Sequence, residues 1–155
     1  MLILHETLKV ERHIQANLER VFEAYADFEQ RAIWGTPSES AVIIYDEADF
    51  REGGSDRFRC GAKSNPNIHV KAQYLSIVPG SRIVWSEITA MDGKSLSASL
   101  NTVTFRQDGN DTQLGVTVQI ASFVGQDMIN GHRQGNAAAL DNLASWISSD
   151  ERVTQ

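Results

Sequence analysis

Four histidines are the side chains of this sequence best suited to acid–base or nucleophile-assisting chemistry. A Ser-His-Asp arrangement would require three such groups to converge in space. His5 and His13 lie at or near a predicted first strand, and His69 alternates with polar residues on a predicted solvent face, so we expect these three at the surface. His132 begins a helix face of small residues. It points into a pocket mouth or lies on the helix surface beside Arg133, and both interpretations stay open.

One acidic residue also has the position that acid–base chemistry needs. Glu87 shares a strand face with Trp85 in the run IVWSEIT. Burial beside the indole would raise the pKa of the carboxyl and make it a general acid, whereas an exposed glutamate near a strand end would have no such role. We name no catalytic residue and keep Glu87 and His132 as candidates.

Metal and phosphate sites find little support. The sequence has no HExxH, no paired cysteines and no close pair of histidines. Asp46, Glu47 and Asp49 lack the glycine and terminal glutamate of a calcium loop, and Gly53-Gly54 lacks the Lys-Ser/Thr of a phosphate loop. We therefore predict no metal and no cofactor.

Size and charge restrict the partners. The chain has 155 residues, 41% of them hydrophobic, which predicts one domain over residues 1–155 with an ordinary core. A formal charge of -6 argues against binding nucleic acid or anionic membranes. Cys60 is the single cysteine, so no internal disulfide can form. The first residues show no signal-peptide pattern and no run is long enough to span a membrane, so we expect a cytoplasmic protein.

The segment most informative about architecture is a predicted C-terminal helix, Met128 to Ser148. Its second half carries apolar residues at helical spacing, which are Leu140, Leu143, Trp146 and Ile147. The same face continues upstream through small residues, which are Gly131, His132, Gly135, Ala138 and Ala139. Because these side chains are small, this helix face either lets another backbone segment pack closely against it or leaves empty space beside it. Opposite a curved sheet we expect space, and hence a cavity.

The remaining elements are one strand, two short helices and six further strands. Thr7–Ile14 predicts the first strand, Asn17 caps a helix, and Asp27–Trp34 forms the second helix. The later strands are predicted at Ser40–Tyr45, Arg57–Lys63, Ile68–Val78, Arg82–Thr89, Ser97–Arg106 and Thr112–Ala121. Short turns make neighbours antiparallel. The predicted fold class is α+β, with an antiparallel sheet of about six to seven strands curved around the long C-terminal helix.

Turn residues place the hairpins. Turns are predicted at Asn65-Pro66-Asn67, Pro79-Gly80, Asp92-Gly93 and Asp108-Gly109-Asn110. Within Ile68–Val78 the apolar phase changes after Tyr74, and an inserted bulge would produce that change.

Several of these runs resemble a known family. They are DFREGG at residues 49–54 with Phe58, IVPGSRIVW at 77–85, VTF at 103–105, and HRQG at 132–135 followed by LDNL at 140–143. In order and spacing they resemble the START-like, helix-grip superfamily. Within it they are most similar to homologues of the activator of the heat-shock-protein-ninety ATPase, a branch of the SRPBCC domains. The resemblance implies a deep pocket between the sheet and the C-terminal helix for lipids, sterols, polyketides or other apolar molecules.

The same resemblance bears on partners. Members that stimulate the chaperone ATPase carry an additional N-terminal domain, for which this sequence shows no counterpart, so we do not expect chaperone regulation by that means. A chaperone or a second copy of the chain nevertheless stays open as a partner.

The predicted ligand-binding residues are aromatic, small or polar. They are Trp34, Phe58, Cys60, Tyr74, Trp85, Asn101, Phe105, Met128, His132, Gly135 and Ala139. Core packing is the alternative for the aromatic residues. We predict binding or transport of a hydrophobic small molecule without catalysis. One alternative is a polyketide cyclase or dehydratase in which Glu87, Asn101 and His132 orient or protonate a ketone. Another is a protein-interaction module that regulates a chaperone ATPase.

Overall fold

A computed structural model describes residues 2–36 and 38–149. Within them the chain forms seven strands and three helices. In chain order these are β1 (Leu4–Ile14), α1 (Leu18–Ala26), α2 (Phe28–Trp34), β2 (Ala41–Glu47), β3 (Ser55–Ala62), β4 (Asn65–Val78), β5 (Arg82–Met91), β6 (Lys94–Asp108), β7 (Asp111–Ser122) and α3 (Gln126–Ser149). The α+β helix-grip prediction is confirmed, with each strand one to three residues longer at one or both ends than its sequence pattern indicated.

All seven strands form one antiparallel sheet in the order β1-β7-β6-β5-β4-β3-β2. Consecutive strands from β2 to β7 are neighbours, as short hairpin turns require. The two helices α1 and α2 connect β1 at one edge to β2 at the other. Alternate residues of β7, which are Leu114, Val116, Val118 and Ile120, are buried, and this face of the sheet packs against the helices.

The two short helices begin at side-chain caps. Asn17 Oδ1 accepts a hydrogen bond of 2.8 Å from the backbone N–H of Arg20, which confirms the predicted cap of α1. Asp27 Oδ1 accepts one of 3.0 Å from the backbone N–H of Glu29 and so caps α2. Two caps ten residues apart allow the chain to turn between the helices with its backbone donors satisfied.

Three of the four predicted turns lie where expected. Asp92 and Gly93 form a two-residue hairpin with φ of 53° and 75°, and Gly80 and Gly109 have φ of 73° and 62°. The turn predicted at Asn65-Pro66-Asn67 is wrong, because the chain turns at Lys63-Ser64 and β4 begins at Asn65.

The geometry opposite Pro66 explains that difference. Proline has no N–H for a strand ladder, so it needs an irregular neighbour. Gly61 has φ of 131°, and the register of β3 against β4 shifts between Cys60 and Ala62. This break admits Pro66 within the strand.

The predicted bulge in β4 is confirmed. The register against β5 shifts between Tyr74, which pairs with Trp85, and Ser76, which pairs with Val84. Leu75 is the extra residue and is half exposed. The bulge lets Tyr74 and Ile77, three residues apart, both contact the core under the helices.

The two halves of α3 differ in packing. Leu140, Leu143 and Ile147 are buried in the core, whereas Trp146 is partly buried and donates a hydrogen bond of 3.0 Å from Nε1 to Gln30 Oε1 in α2. At Gly131 and Gly135 in the first half, a Cβ would meet no heavy atom within 4 Å. The small residues therefore leave open space beside the helix.

Candidate functional site

Two adjoining cavities lie on the side of the sheet that faces the helices. The inner cavity, of about 110 Å³, is enclosed by α1, α2 and strands β2 to β5. The outer cavity, of about 460 Å³, is a more open space between the first half of α3 and strands β3 to β5. Phe58 and Glu87 line both of them, so the two volumes meet at these side chains.

An ion pair forms the polar end of the inner cavity. Arg31 Nη2 donates a hydrogen bond of 3.0 Å to Asp56 Oδ2, and both side chains are buried. Tyr74 donates its phenolic hydrogen to the same carboxylate oxygen. The remaining groups of Arg31 are also bonded, since Nη1 donates to the carbonyl of Tyr25 and Nε donates to Tyr45 Oη at 3.2 Å. The guanidinium is thus held on three sides.

The pKa directions fit this network. Burial alone would lower the pKa of Arg31, but Tyr45, Tyr74 and Asp56 raise it, so the guanidinium stays charged. Burial raises the pKa of the Tyr74 phenol, which keeps the hydroxyl protonated as a donor to Asp56.

Aromatic rings form the walls. They come from six elements and the loop before β3, and are Tyr25, Trp34, Tyr45, Phe50, Phe58, Tyr74 and Trp85. Their contacts are mostly edge-to-face, as between Phe50 and Tyr74 with ring centroids 5.1 Å apart. The Arg31 guanidinium lies 5.2 Å from the centroid of Tyr45, as in a cation–π contact.

Glu87 is the acidic residue shared by both cavities. Trp85 Nε1 donates a hydrogen bond of 3.2 Å to its Oε1. Within the described residues, Glu87 Oε2 has no hydrogen-bond partner. In the same part of the chain, no nitrogen atom of a Lys, Arg or His side chain lies within 4 Å of the Glu87 carboxyl, the distance that defines an ion pair. Burial raises the pKa of this carboxyl, and the Trp85 hydrogen bond opposes the rise only in part. The carboxyl is therefore open to the cavities on one side.

One small residue leaves room beside this carboxyl. Asp56, Ala72, Glu87 and Ser99 are direct neighbours across β3, β4, β5 and β6. Ala72 is buried and lines the inner cavity, so only its methyl group stands between the two acidic side chains of this row.

The outer cavity is mainly apolar, with a few polar groups. Met128, Gly131 and Gly135 line it from α3, and Cys60 lines it from β3. His132 also lines it, and burial lowers the pKa of this imidazole. Burial raises the pKa of the Cys60 thiol, and the nearby Glu87 raises it further, so the thiol is a poor nucleophile.

Eight of the eleven predicted ligand-binding residues line these cavities. Trp34, Tyr74 and Trp85 line the inner one, Cys60, Met128, His132 and Gly135 line the outer one, and Phe58 lines both. Three line neither. Asn101 is buried and donates to Ser99 Oγ at 2.9 Å, Phe105 packs its ring on Phe22 and Tyr25, and Ala139 packs against the core. His5, His13 and His69 are exposed.

The sequence patterns did not indicate the polar end of the inner cavity. Arg31, Tyr45 and Asp56 lie in α2, β2 and β3, and none of their local patterns indicates that they meet. Asp56 did carry a signal, because it lies two residues before Phe58 and so shares a strand face with a predicted pocket residue.

The described residues also bear on metal binding and membrane insertion. In residues 2–36 and 38–149, no three His, Cys, Asp or Glu side chains come together as a metal site would require. Over the same residues, no helix combines the length and apolar character needed to cross a membrane. A larger depression of about 620 Å³ runs across β1, β7 and β6, but it is shallow and open.

A sheet curved around a terminal helix, with cavities between them, defines the helix-grip class of protein. The family described as "Activator of Hsp90 ATPase homolog 1-like protein" matches residues 15–148. The chain belongs to this family. No curated protein matches it.

Solved structures agree with this assignment. Protein Mll3558 from Rhizobium loti is 34% identical, with a TM-score of 0.84 over 94% of this chain and 99% of that one. An uncharacterized protein from Rhizobium leguminosarum is 32% identical, with a TM-score of 0.84 over 96% and 98% of the two chains. DynU16, a putative protein in the dynemicin biosynthetic locus, has a TM-score of 0.68 at 16% identity, over 92% of this chain and 47% of that one. At that identity the similarity is one of fold.

Proposed function

We propose that this chain binds a hydrophobic small molecule in the two adjoining cavities between sheet and helices. The observation that carries the proposal is the open space beside Gly131 and Gly135, at which an added Cβ would meet nothing within 4 Å. Glycine inside a helix costs about 1 kcal/mol relative to alanine. Two such residues on one face of α3, both lining the outer cavity, keep that space free at a cost in helix stability.

The size and lining of the cavities suit a ligand with two different ends. The outer cavity of about 460 Å³ falls within the roughly 300–1,000 Å³ that is usual for small-molecule sites. Its lining includes Phe58, Ile68, Val70 and Met128, which would contact an apolar body. The inner cavity would receive a smaller group beside Glu87.

The test uses a neutral probe, n-butylbenzene, and a substitution that fills the outer cavity. In Gly135→Leu the new side chain would occupy the space that the probe needs, so we expect binding measured by NMR titration to be lost. Gln134→Leu is the matched control, because residue 134 is exposed on the same helix and does not line the cavity. Equal binding of the probe by both variants, or no binding to the unaltered chain, would contradict the proposal.

A second candidate function is acid catalysis at Glu87. The observation that favours it is the partly buried carboxyl whose Oε2 has no partner in the described part of the chain and whose pKa is raised. A cyclase or dehydratase of this kind would use Glu87 to protonate a bound ketone, with His132 across the outer cavity. Asn101 would take no direct part, because it lines neither cavity.

Turnover separates the two candidates. With a panel of aromatic polyketides, Glu87→Gln should lower the rate about 10²- to 10⁴-fold if the carboxyl is a general acid. Binding without any product in the unaltered chain would support a carrier. Regulation of a chaperone ATPase stays a prediction drawn from the family alone, and pull-down with the host's own chaperone would test it.

A further inference from the structure

The charges that line the two cavities are predominantly negative. Glu87 contributes a carboxyl at their junction, and Asp127 contributes a second at the outer cavity. Asp56 contributes a third, which Arg31 neutralises at 3.0 Å. Burial lowers the pKa of His132 and so favours its neutral form. The described lining therefore offers no free cation to an anionic ligand.

Among the described residues of the lining, the one cation, Arg31, already has partners. Arg31 donates to Asp56, to Tyr45 and to the carbonyl of Tyr25 from three different nitrogen atoms. A carboxylate or phosphate group entering the inner cavity would have to displace one of these buried partners. It would also approach the Glu87 carboxyl, a like charge in a poorly solvated space.

A cationic group entering the inner cavity would approach an opposite charge and would displace no buried partner. Glu87 Oε2 has neither a hydrogen-bond partner nor a cationic neighbour among the described residues, so an ammonium group would supply both. The surrounding rings add to this, since Trp85, Phe58 and Tyr45 all line the cavity that the carboxyl enters. Aromatic faces attract cations, most strongly where water is excluded.

We propose that the ligand of this site is a hydrophobic organic amine, whose apolar body occupies the outer cavity and whose protonated nitrogen enters the inner cavity beside Glu87. This inference rests on the proposed binding function and adds the chemical class of the ligand. The ammonium donates to Glu87 Oε2 and lies among the aromatic rings, while Arg31 and Asp56 neutralise each other behind it.

A matched series of three probes tests the inference. 4-Phenylbutylamine, 4-phenylbutanol and 4-phenylbutyrate share one apolar body and carry a cationic, a neutral and an anionic end. Calorimetry at pH 7 and fixed salt should find the amine at least about tenfold tighter than the alcohol, as a charge-assisted hydrogen bond implies. The carboxylate should bind more weakly than the alcohol.

A substitution at the carboxyl assigns the preference to one residue. Glu87→Gln keeps the shape and removes the charge, so the amine should lose about tenfold in affinity while the alcohol changes by less than a factor of about three. Glu11→Gln is the control, because it removes the same charge from an exposed position on β1 outside both cavities. The indole N–H resonance of Trp85 should shift on amine binding in the unaltered chain.

The outcomes separate this inference from the function beneath it. If n-butylbenzene and the alcohol bind but the amine binds no better, the amine class is wrong and the binding function stands. Tighter binding of the alcohol than of the amine would indicate that the Glu87 carboxyl is protonated and donates a hydrogen bond to the hydroxyl oxygen of the probe. Preference for the carboxylate would indicate that Arg31 exchanges its partner. If no probe in the series binds, both the function and the inference fail.

Discussion

Trp85 and Glu87 lie two residues apart on β5, and the indole Nε1 of the first donates a hydrogen bond of 3.2 Å to Oε1 of the second. Residues at this spacing share a strand face, so the strand itself sets the contact. The indole satisfies one carboxyl oxygen and leaves the other to the cavity. A partly buried acid is thereby fixed in orientation without being neutralised.

The raised pKa of Glu87 predicts a pH-dependent stability. The folded chain holds this proton at pH values where the unfolded chain, with a pKa near 4.5, has released it. The protonated carboxyl therefore makes its whole contribution to the free energy of unfolding below the unfolded pKa. This contribution is lost as the pH rises through the folded pKa. Glu87→Gln should be more stable than the unaltered chain at neutral pH, and the difference should vanish below pH 4. Thermal unfolding of both proteins across this range measures it; a constant difference would contradict the burial of the charge.

His132 should show the opposite dependence. Burial lowers the pKa of this imidazole below 6.5, so the folded chain binds its proton less readily than the unfolded chain. The contribution of neutral His132 to the free energy of unfolding is lost as the pH falls from the unfolded pKa through the lower folded pKa. NMR titration should place the folded pKa below 6.5, and n-butylbenzene should lower it further by excluding water from the outer cavity. His132→Asn should remove this part of the pH profile, whereas an unchanged profile would contradict it.

The buried ion pair predicts a contrast with an exposed one. Asp56→Asn leaves the Arg31 guanidinium without its counter-charge in a buried site, and such a change costs about 3 to 5 kcal/mol. Arg59 and Asp46 form a pair nearer the surface, with two hydrogen bonds of 2.9 and 3.1 Å, so Asp46→Asn should cost at most about 1 kcal/mol. Denaturant unfolding compares the two variants. Similar losses would mean that the inner pair is solvated.

Two glycines should respond to alanine in opposite ways. In Gly54 an added Cβ would lie 2.3 Å from the carbonyl oxygen of Asp49, so Gly54→Ala forces the corner before β3 to move. We expect a loss of about 1 to 3 kcal/mol. Gly135→Ala meets no obstacle and should stabilise the helix by about 1 kcal/mol. Thermal unfolding of both variants provides the measurement, and a destabilised Gly135→Ala would show that α3 packs closer to the sheet.

Local patterns predicted the elements that periodicity controls. Strand alternation, the cap at Asn17, and the change of apolar phase at Tyr74 all depend on neighbours in sequence, and each agrees with the structure. The small residues of α3 likewise indicated space, because volume is a property of the residues themselves. The turn at Lys63-Ser64 was missed because the glycine that admits Pro66 lies on the facing strand.

The candidate site was predictable only in part. Alternation placed Asn101 and Phe105 on the correct face of β6, but it does not say how far along the sheet a cavity extends. Phe105 lies under α1, where Phe22 and Tyr25 fill the space, and Asn101 bonds to its own strand. The pairing of Arg31 with Asp56 depends on how α2 lies against the sheet, and no short-range pattern carries that information.

Ala72 lies between Asp56 and Glu87, and a substitution there would change the size of the inner cavity without changing the charge of its lining. Strands two apart in a sheet are about 10 Å apart, so the two acids lie on either side of residue 72, which also lines the inner cavity. Valine or leucine there would shorten the inner cavity while leaving the carboxyl of Glu87 in place. Relatives with the same acids but a different residue at this position would then accept smaller head groups of the same charge, so a single substitution would be enough to divide one ligand class among several proteins.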